Sequence, residues 1–116
     1  MKSERPLAVV FFRTETGNEP VREWLKSLPK EDRHRIGEDL LTVQYAWPLG
    51  KPLVDHVGEG IWEVRSRLAN RIVRTLFIVA DEEIVLLHGF VKKQQRTPAH
   101  DLDLARRRKR QYLQRL

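Results

Sequence analysis

Cations stand in this sequence where strands should be apolar. Arg65 and Arg67 alternate with Val64 and Leu68, Arg74 sits among Ile72, Val73, Leu76 and Phe77, and Lys92 and Lys93 close the next apolar run. A guanidinium inside an apolar strand is costly unless it is paired or reaches water. Residues two apart on a strand share a face. Arg65, Arg67 and Arg71 therefore have one parity, and Arg74 joins them across a hairpin if the register allows. A concave sheet face carrying these groups binds an anionic backbone. It can also stabilise the charge that builds around phosphorus when RNA is cleaved. Single-stranded RNA supplies its own nucleophile, the 2′-OH, so a protein that bends it into line needs little beyond positioning and charge neutralisation. Arginine clamps phosphate through two parallel N–H bonds, and a lysine or histidine of shifted pKa can move protons. No cofactor and no metal are expected for such a site.

Each candidate also has an ordinary reading. Arg65 can pair with Glu63 or Asp81. Lys92 and Lys93 can be solubilising charges at a strand end. His88, between Leu87 and Gly89, can be a satisfied core histidine, and Trp62 can belong to the core. Other chemistries lack their residues. There is no cysteine, which removes disulfides, thiolate nucleophiles and zinc–cysteine sites. No Gly-rich phosphate loop, dinucleotide fingerprint or His-x-x-x-His pair occurs, and His34, His56, His88 and His100 are scattered.

The elements that must position these residues follow from periodicity. Residues 7–12 are a continuous β-branched and aromatic run, which predicts a strand buried on both faces. Val21, Trp24, Leu25 and Leu28 make one helical stripe behind Pro20. Ile36, Leu40, Val43 and Trp47 make a second over residues 30–47, with Gly37 placed for close packing against a neighbour. Pro48, Gly50 and Pro52 end it. Leu53-Val54 can add a short strand. Three strands then follow over 61–67, 71–79 and 83–91, joined by hairpin-length connections. Thr97 as N-cap and Pro98 as first residue open a last helix, with Leu102, Ala105, Tyr112 and Leu116 toward the body. The sum is an α+β fold of one domain, residues 1–116. Its mostly antiparallel sheet of four to five strands has the two earlier helices on one face, a less covered opposite face for the chemistry, and a basic C-terminal helix.

The chain has 116 residues and a formal charge of +6. The excess is local, since residues 92–116 hold nine basic and two acidic side chains. Such a block can be an electrostatic footprint for nucleic acid, an acidic protein or anionic lipid, or simply a solvated helix. No apolar run approaches the ~20 residues needed to span a bilayer. The opening residues do not read as a signal peptide. A cytoplasmic protein without a membrane partner is expected.

Three stretches carry a family resemblance. They are Gly60-Ile61-Trp62-Glu63-Val64-Arg65, then Arg74-Thr75-Leu76-Phe77, then Leu87-His88-Gly89-Phe90-Val91-Lys92-Lys93-Gln94-Gln95-Arg96-Thr97-Pro98. They resemble the RelE/ParE superfamily of type II toxins, most closely its HigB-like, phage-derived branch, in matching order from about Val9 to Tyr112. The resemblance implies a RelE-like fold and a ribosome-dependent mRNA endonuclease that halts translation. It implies a small helix-turn-helix antitoxin as partner, ribosome and mRNA as targets, and operator DNA contacted only through the antitoxin. Carried over by position, Arg65, Arg74 and Lys93 are the catalytic candidates, and Arg67, His88, Lys92 and Arg96 the RNA-binding ones. Gln94 and Gln95 stand where some relatives place a tyrosine or histidine acid, so the general acid is not identified. ParE-type members bind gyrase and cleave no RNA, which leaves a gyrase-binding inhibitor, or a member that only binds antitoxin, as alternative readings.

Overall fold

A computed structural model describes residues 5–116; residues 1–4, the start of the segment read against a signal peptide, lie outside it. The elements in chain order are β1 (Ala8–Phe11), α1 (Pro20–Lys26), α2 (Lys30–Ala46), β2 (Val54–Gly58), β3 (Ile61–Arg67), β4 (Ile72–Ala80), β5 (Glu83–Val91) and α3 (Ala99–Gln114). They form one five-stranded sheet of order β1-β5-β4-β3-β2. Only the β1–β5 pair is parallel. This is the α+β, RelE-like architecture expected.

Two short turns make the β2–β3–β4–β5 meander tight. Glu59 and Gly60 have φ of 54° and 75°, and Asp81 and Glu82 have φ of 49° and 61°. Positive φ at both central residues is the turn whose twist matches that of paired strands.

The core lies on both sides of the sheet. Val21 of α1 and Ile36, Leu40 and Val43 of α2 pack with Val64, Val73, Phe77, Ile84 and Leu86. Ala105, Leu102 and Tyr112 of α3 pack with Ile61, Leu76, Ile78, Val85 and Leu87 on the reverse. The face opposite α1 and α2 is thus not bare. Helix α3 crosses one end of it and leaves the other end for the cations.

A bulge decides which β5 residues share that face. Leu76 pairs with His88, but the next residue, Phe77, pairs with Leu86. Leu87 is the extra residue, so Leu87 and His88 both point toward α3. From there on Phe90 shares the α3 face. Gly89 points the other way, against the Trp24 ring, which occupies the space a Cβ would need. Only glycine fits there.

Several expectations are corrected. Strand β1 is at the sheet margin and is half-exposed; of the 7–12 run only Leu7 and Phe12 are buried. An edge strand with one partner cannot be covered on every side. Gly37 is exposed and has no neighbour that a Cβ would meet, so close packing does not explain it. Thr97 does not cap α3, which begins at Ala99 after Pro98; its hydroxyl is engaged elsewhere. Leu116 is 69% exposed rather than turned inward. Trp62 packs on the core, edge-on to Trp47 with ring centroids 5.0 Å apart.

Candidate functional site

Register brings the cations of two strands together. Arg65 of β3 lies opposite Arg74 of β4, Arg74 lies opposite Phe90 of β5, and Arg67 lies opposite Ile72. The Lys92 amide continues the ladder by donating to the Ile72 carbonyl. Lys92 is half-buried, and its ammonium pKa is lowered, first by burial and then by the charges of Arg65 and Arg74. Arg67 adds to that repulsion. Arg65, Arg67, Arg74 and Lys92 therefore form one field on the α3 side of the sheet, with the exposed Lys93 and Arg96 at its rim.

Arg71 does not join them. It donates to Asp32 of α2 at 2.9 Å, on the opposite side. The turn after β3, closed by the Leu68 amide on the Arg71 carbonyl, exchanges the parities. Odd-numbered residues face α3 along β3 but α2 along β4. Parity within one strand does not survive the turn.

Arg74 is only 2% exposed. Its Nε lies 3.5 Å from Oε2 of Glu63, itself 3% exposed. Its Nη2 donates to the Gln95 carbonyl and its Nη1 to the Thr97 hydroxyl at 3.4 Å. Thr97 in turn donates to Glu63 Oε2 at 3.3 Å. Burial raises the Glu63 pKa, against the opposing pull of Arg74, the Thr97 hydrogen bond and Arg65. A closed unit of buried arginine, buried carboxylate and loop threonine results.

The segment 94–97 divides the surface above this unit into two clefts. One, of about 400 Å³, is lined by Arg71, Ile72, Lys92, Lys93 and Gln94 as well as Gln95. The other, of about 460 Å³, has Glu63, Arg96, Thr97, Leu102 and again Gln95 among its walls. The first is cationic; the second presents a carboxyl that keeps its proton to higher pH than usual. Together they can seat a flexible polyanion, neutralise it and exchange a proton beside it. Among the described residues no group of three or more histidines and carboxylates is arranged to hold a metal ion.

The other candidates separate. His88 sets Nε2 2.6 Å from Asp101 Oδ1 in the first turn of α3 and stacks on Phe90 at 5.4 Å. Burial lowers its pKa, with the Asp101 contact opposing. It is the satisfied histidine, anchoring α3. The basic block of α3 is also largely engaged. Arg106 bonds Glu59 at 2.7 Å and Asp103 at 3.0 Å. Arg108 bonds the Leu87 carbonyl at 2.7 Å, Lys109 the Glu59 carbonyl, and Arg115 the Arg13 carbonyl. Arg107 and Arg110 remain exposed. Most of these charges tie the helix to β5, to the turn after β2 and to the segment after β1.

Glu63, Thr97 and Asp101 were not among the sequence candidates. Glu63 had a signal, a carboxylate on the same parity as Arg65; the other two had none.

The family model for phage derived protein Gp49-like (DUF891) matches residues 23–110. The chain belongs to this Gp49-like family. The match runs from α1 into α3 and takes in β2 to β5 and the whole 94–97 segment. The Gp49-like family is a family of RelE/HigB-like toxins, and a toxin of that kind is paired with an antitoxin. No curated protein matches the chain. No helix among the described residues is long and apolar enough to cross a membrane.

Proposed function

We propose that this chain is the toxin of a type II pair of the HigB-like branch, and that it cleaves mRNA on the ribosome. The observation that carries this reading is the cationic field of Arg65, Arg67 and Lys92, rimmed by Lys93 and Arg96, with the Arg74 charge beneath it. Three positive charges in the field and two at its rim suit successive phosphates of a single strand. In the reaction, the 2′-oxygen attacks phosphorus, the bond to the 5′-oxygen breaks, and the products carry a cyclic phosphate and a 5′-hydroxyl. Arg65 and Lys92 hold the non-bridging oxygens, whose charge grows at the transition state. Lys93 adds charge or moves a proton at the rim. Arg67 and Arg96 guide the flanking strand, and His88 acts indirectly by anchoring α3.

The partner is a helix-turn-helix antitoxin, which alone contacts operator DNA, and the site of action is the cytoplasm. Mapping transcript ends after induction tests the reading. New 5′ ends within translated messages, lost in the Arg65→Ala and Lys93→Ala variants, are the expected result. Arrest of DNA synthesis with intact messages would replace it with gyrase inhibition. Induction without growth arrest would leave only antitoxin binding.

A further inference from the structure

Arg74 presents a puzzle for any direct role. At 2% exposure it has no free edge for a phosphate. Its two terminal nitrogens are directed at the Gln95 carbonyl and the Thr97 hydroxyl. The segment 94–97 has no helix or strand of its own, and its side chains at 94, 95 and 96 are exposed. Among the described residues, its ties to the sheet come from Arg74, from Glu63 through Thr97, and from a 3.5 Å contact of Lys92 Nζ with Gln95 Oε1. A planar guanidinium holds two acceptors in fixed relative positions, which an ammonium cannot do. Gln95 lies in the wall of both clefts, so whatever fixes Gln95 fixes the shape of both.

We propose that Arg74 is a positioning residue. Through Gln95 and Thr97 it fixes the 94–97 segment, so that Lys92 and Lys93 on one side and Arg96 on the other line one track for the RNA strand. This rests on the function proposed above for its consequence, but not for its structural content. Glu63 completes the unit as the counter-charge that keeps the buried guanidinium oriented.

The experiment measures backbone amide order parameters by NMR on the full chain and on the Arg74→Lys and Thr97→Val variants. Affinity for a single-stranded RNA oligonucleotide is measured alongside. In the unaltered chain the amides of Gln95 and Arg96 should match the strands at about 0.85, falling below about 0.6 in both variants while β4 and β5 are unchanged. Oligonucleotide affinity should fall by about tenfold in each, the equivalent of one lost charge-assisted hydrogen bond. Thr97→Val carries no change of charge, so its weakening would trace to position alone. A 94–97 segment that stays ordered in Arg74→Lys overturns the proposal, whatever happens to RNA. If Arg74→Lys does not fold, the double variant Arg74→Met, Glu63→Leu, which removes both bonds from Arg74 and leaves no buried charge unpaired, decides in its place, and an ordered segment there is equally fatal. Should the unaltered chain bind no RNA, the nuclease reading falls while the order parameters still judge the role of Arg74.

Discussion

Replacing Arg74 by methionine should expose the cost of the buried pair and make it depend on pH. The two side chains are 2% and 4% exposed, with Nε and Oε2 3.5 Å apart. At an effective dielectric of about 20 their attraction is about 5 kcal/mol. Removing one member of a buried pair costs about 3–5 kcal/mol because the other is left without compensation. Glu63 can escape part of that cost by taking up a proton. Burial already raises its pKa, and loss of Arg74 removes the largest opposing influence. A carboxyl whose folded pKa lies above its unfolded value binds more protons when folded, so stability is highest below the unfolded pKa and falls as pH rises through the folded one. Urea unfolding of Arg74→Met should therefore show a larger loss at pH 7 than near pH 5. The double variant Arg74→Met, Glu63→Leu should recover most of it, since a well-packed apolar pair replaces a buried ionic pair at little cost. An equal loss at both pH values, or a double variant less stable than the single one, would refute the reasoning.

Four further outcomes can be checked. Gly89→Ala should lower stability in urea by about 1–3 kcal/mol, because its Cβ has to displace the Trp24 ring. Gly37→Ala should raise the melting temperature and add about 1 kcal/mol, since the site is exposed, helical and open around a Cβ. Binding of single-stranded RNA should weaken steeply with salt, and the logarithmic slope should drop by about 0.7 for each of Arg65→Ala and Lys92→Ala. His88, whose pKa burial lowers, should remain neutral in an NMR titration below the ordinary histidine range; stability should fall as pH drops from its unfolded pKa toward its folded one.

Much of the fold was legible because its signals are local. The stripe of Val21, Trp24, Leu25 and Leu28 and the β-branched runs of β3 to β5 each announce themselves within one turn or strand. The sharing of one face by Arg65, Arg67 and Arg74 was legible through two-residue alternation and hairpin length. Alternation failed where geometry departs from the simple period. The bulge at Leu87 sets His88 on the same side as its neighbour, and the turn before β4 sends Arg71 to α2. Neither leaves a mark in residue type. Long-range pairing was illegible too. Nothing near Thr97 shows that its hydroxyl reaches Glu63, 34 positions away, and a row of arginines in α3 does not reveal which are tied down. Gly37 misled because a glycine inside a helix invites a packing reason that an exposed position does not require.

The parallel pairing of β1 with β5 has a consequence for how the molecule is assembled. Ala8 to Phe11 meet Glu83 to Leu86, so the earliest strand has no sheet partner until nearly three-quarters of the chain has been made. The meander of β2 to β5 joins neighbours in sequence and can close quickly, whereas β1 must wait for a distant contact. The segment that roofs Arg74 comes later still. During synthesis, then, the polypeptide carries a half-finished sheet until β5 arrives, and the surface around Arg74 and the 94–97 segment is completed only after that.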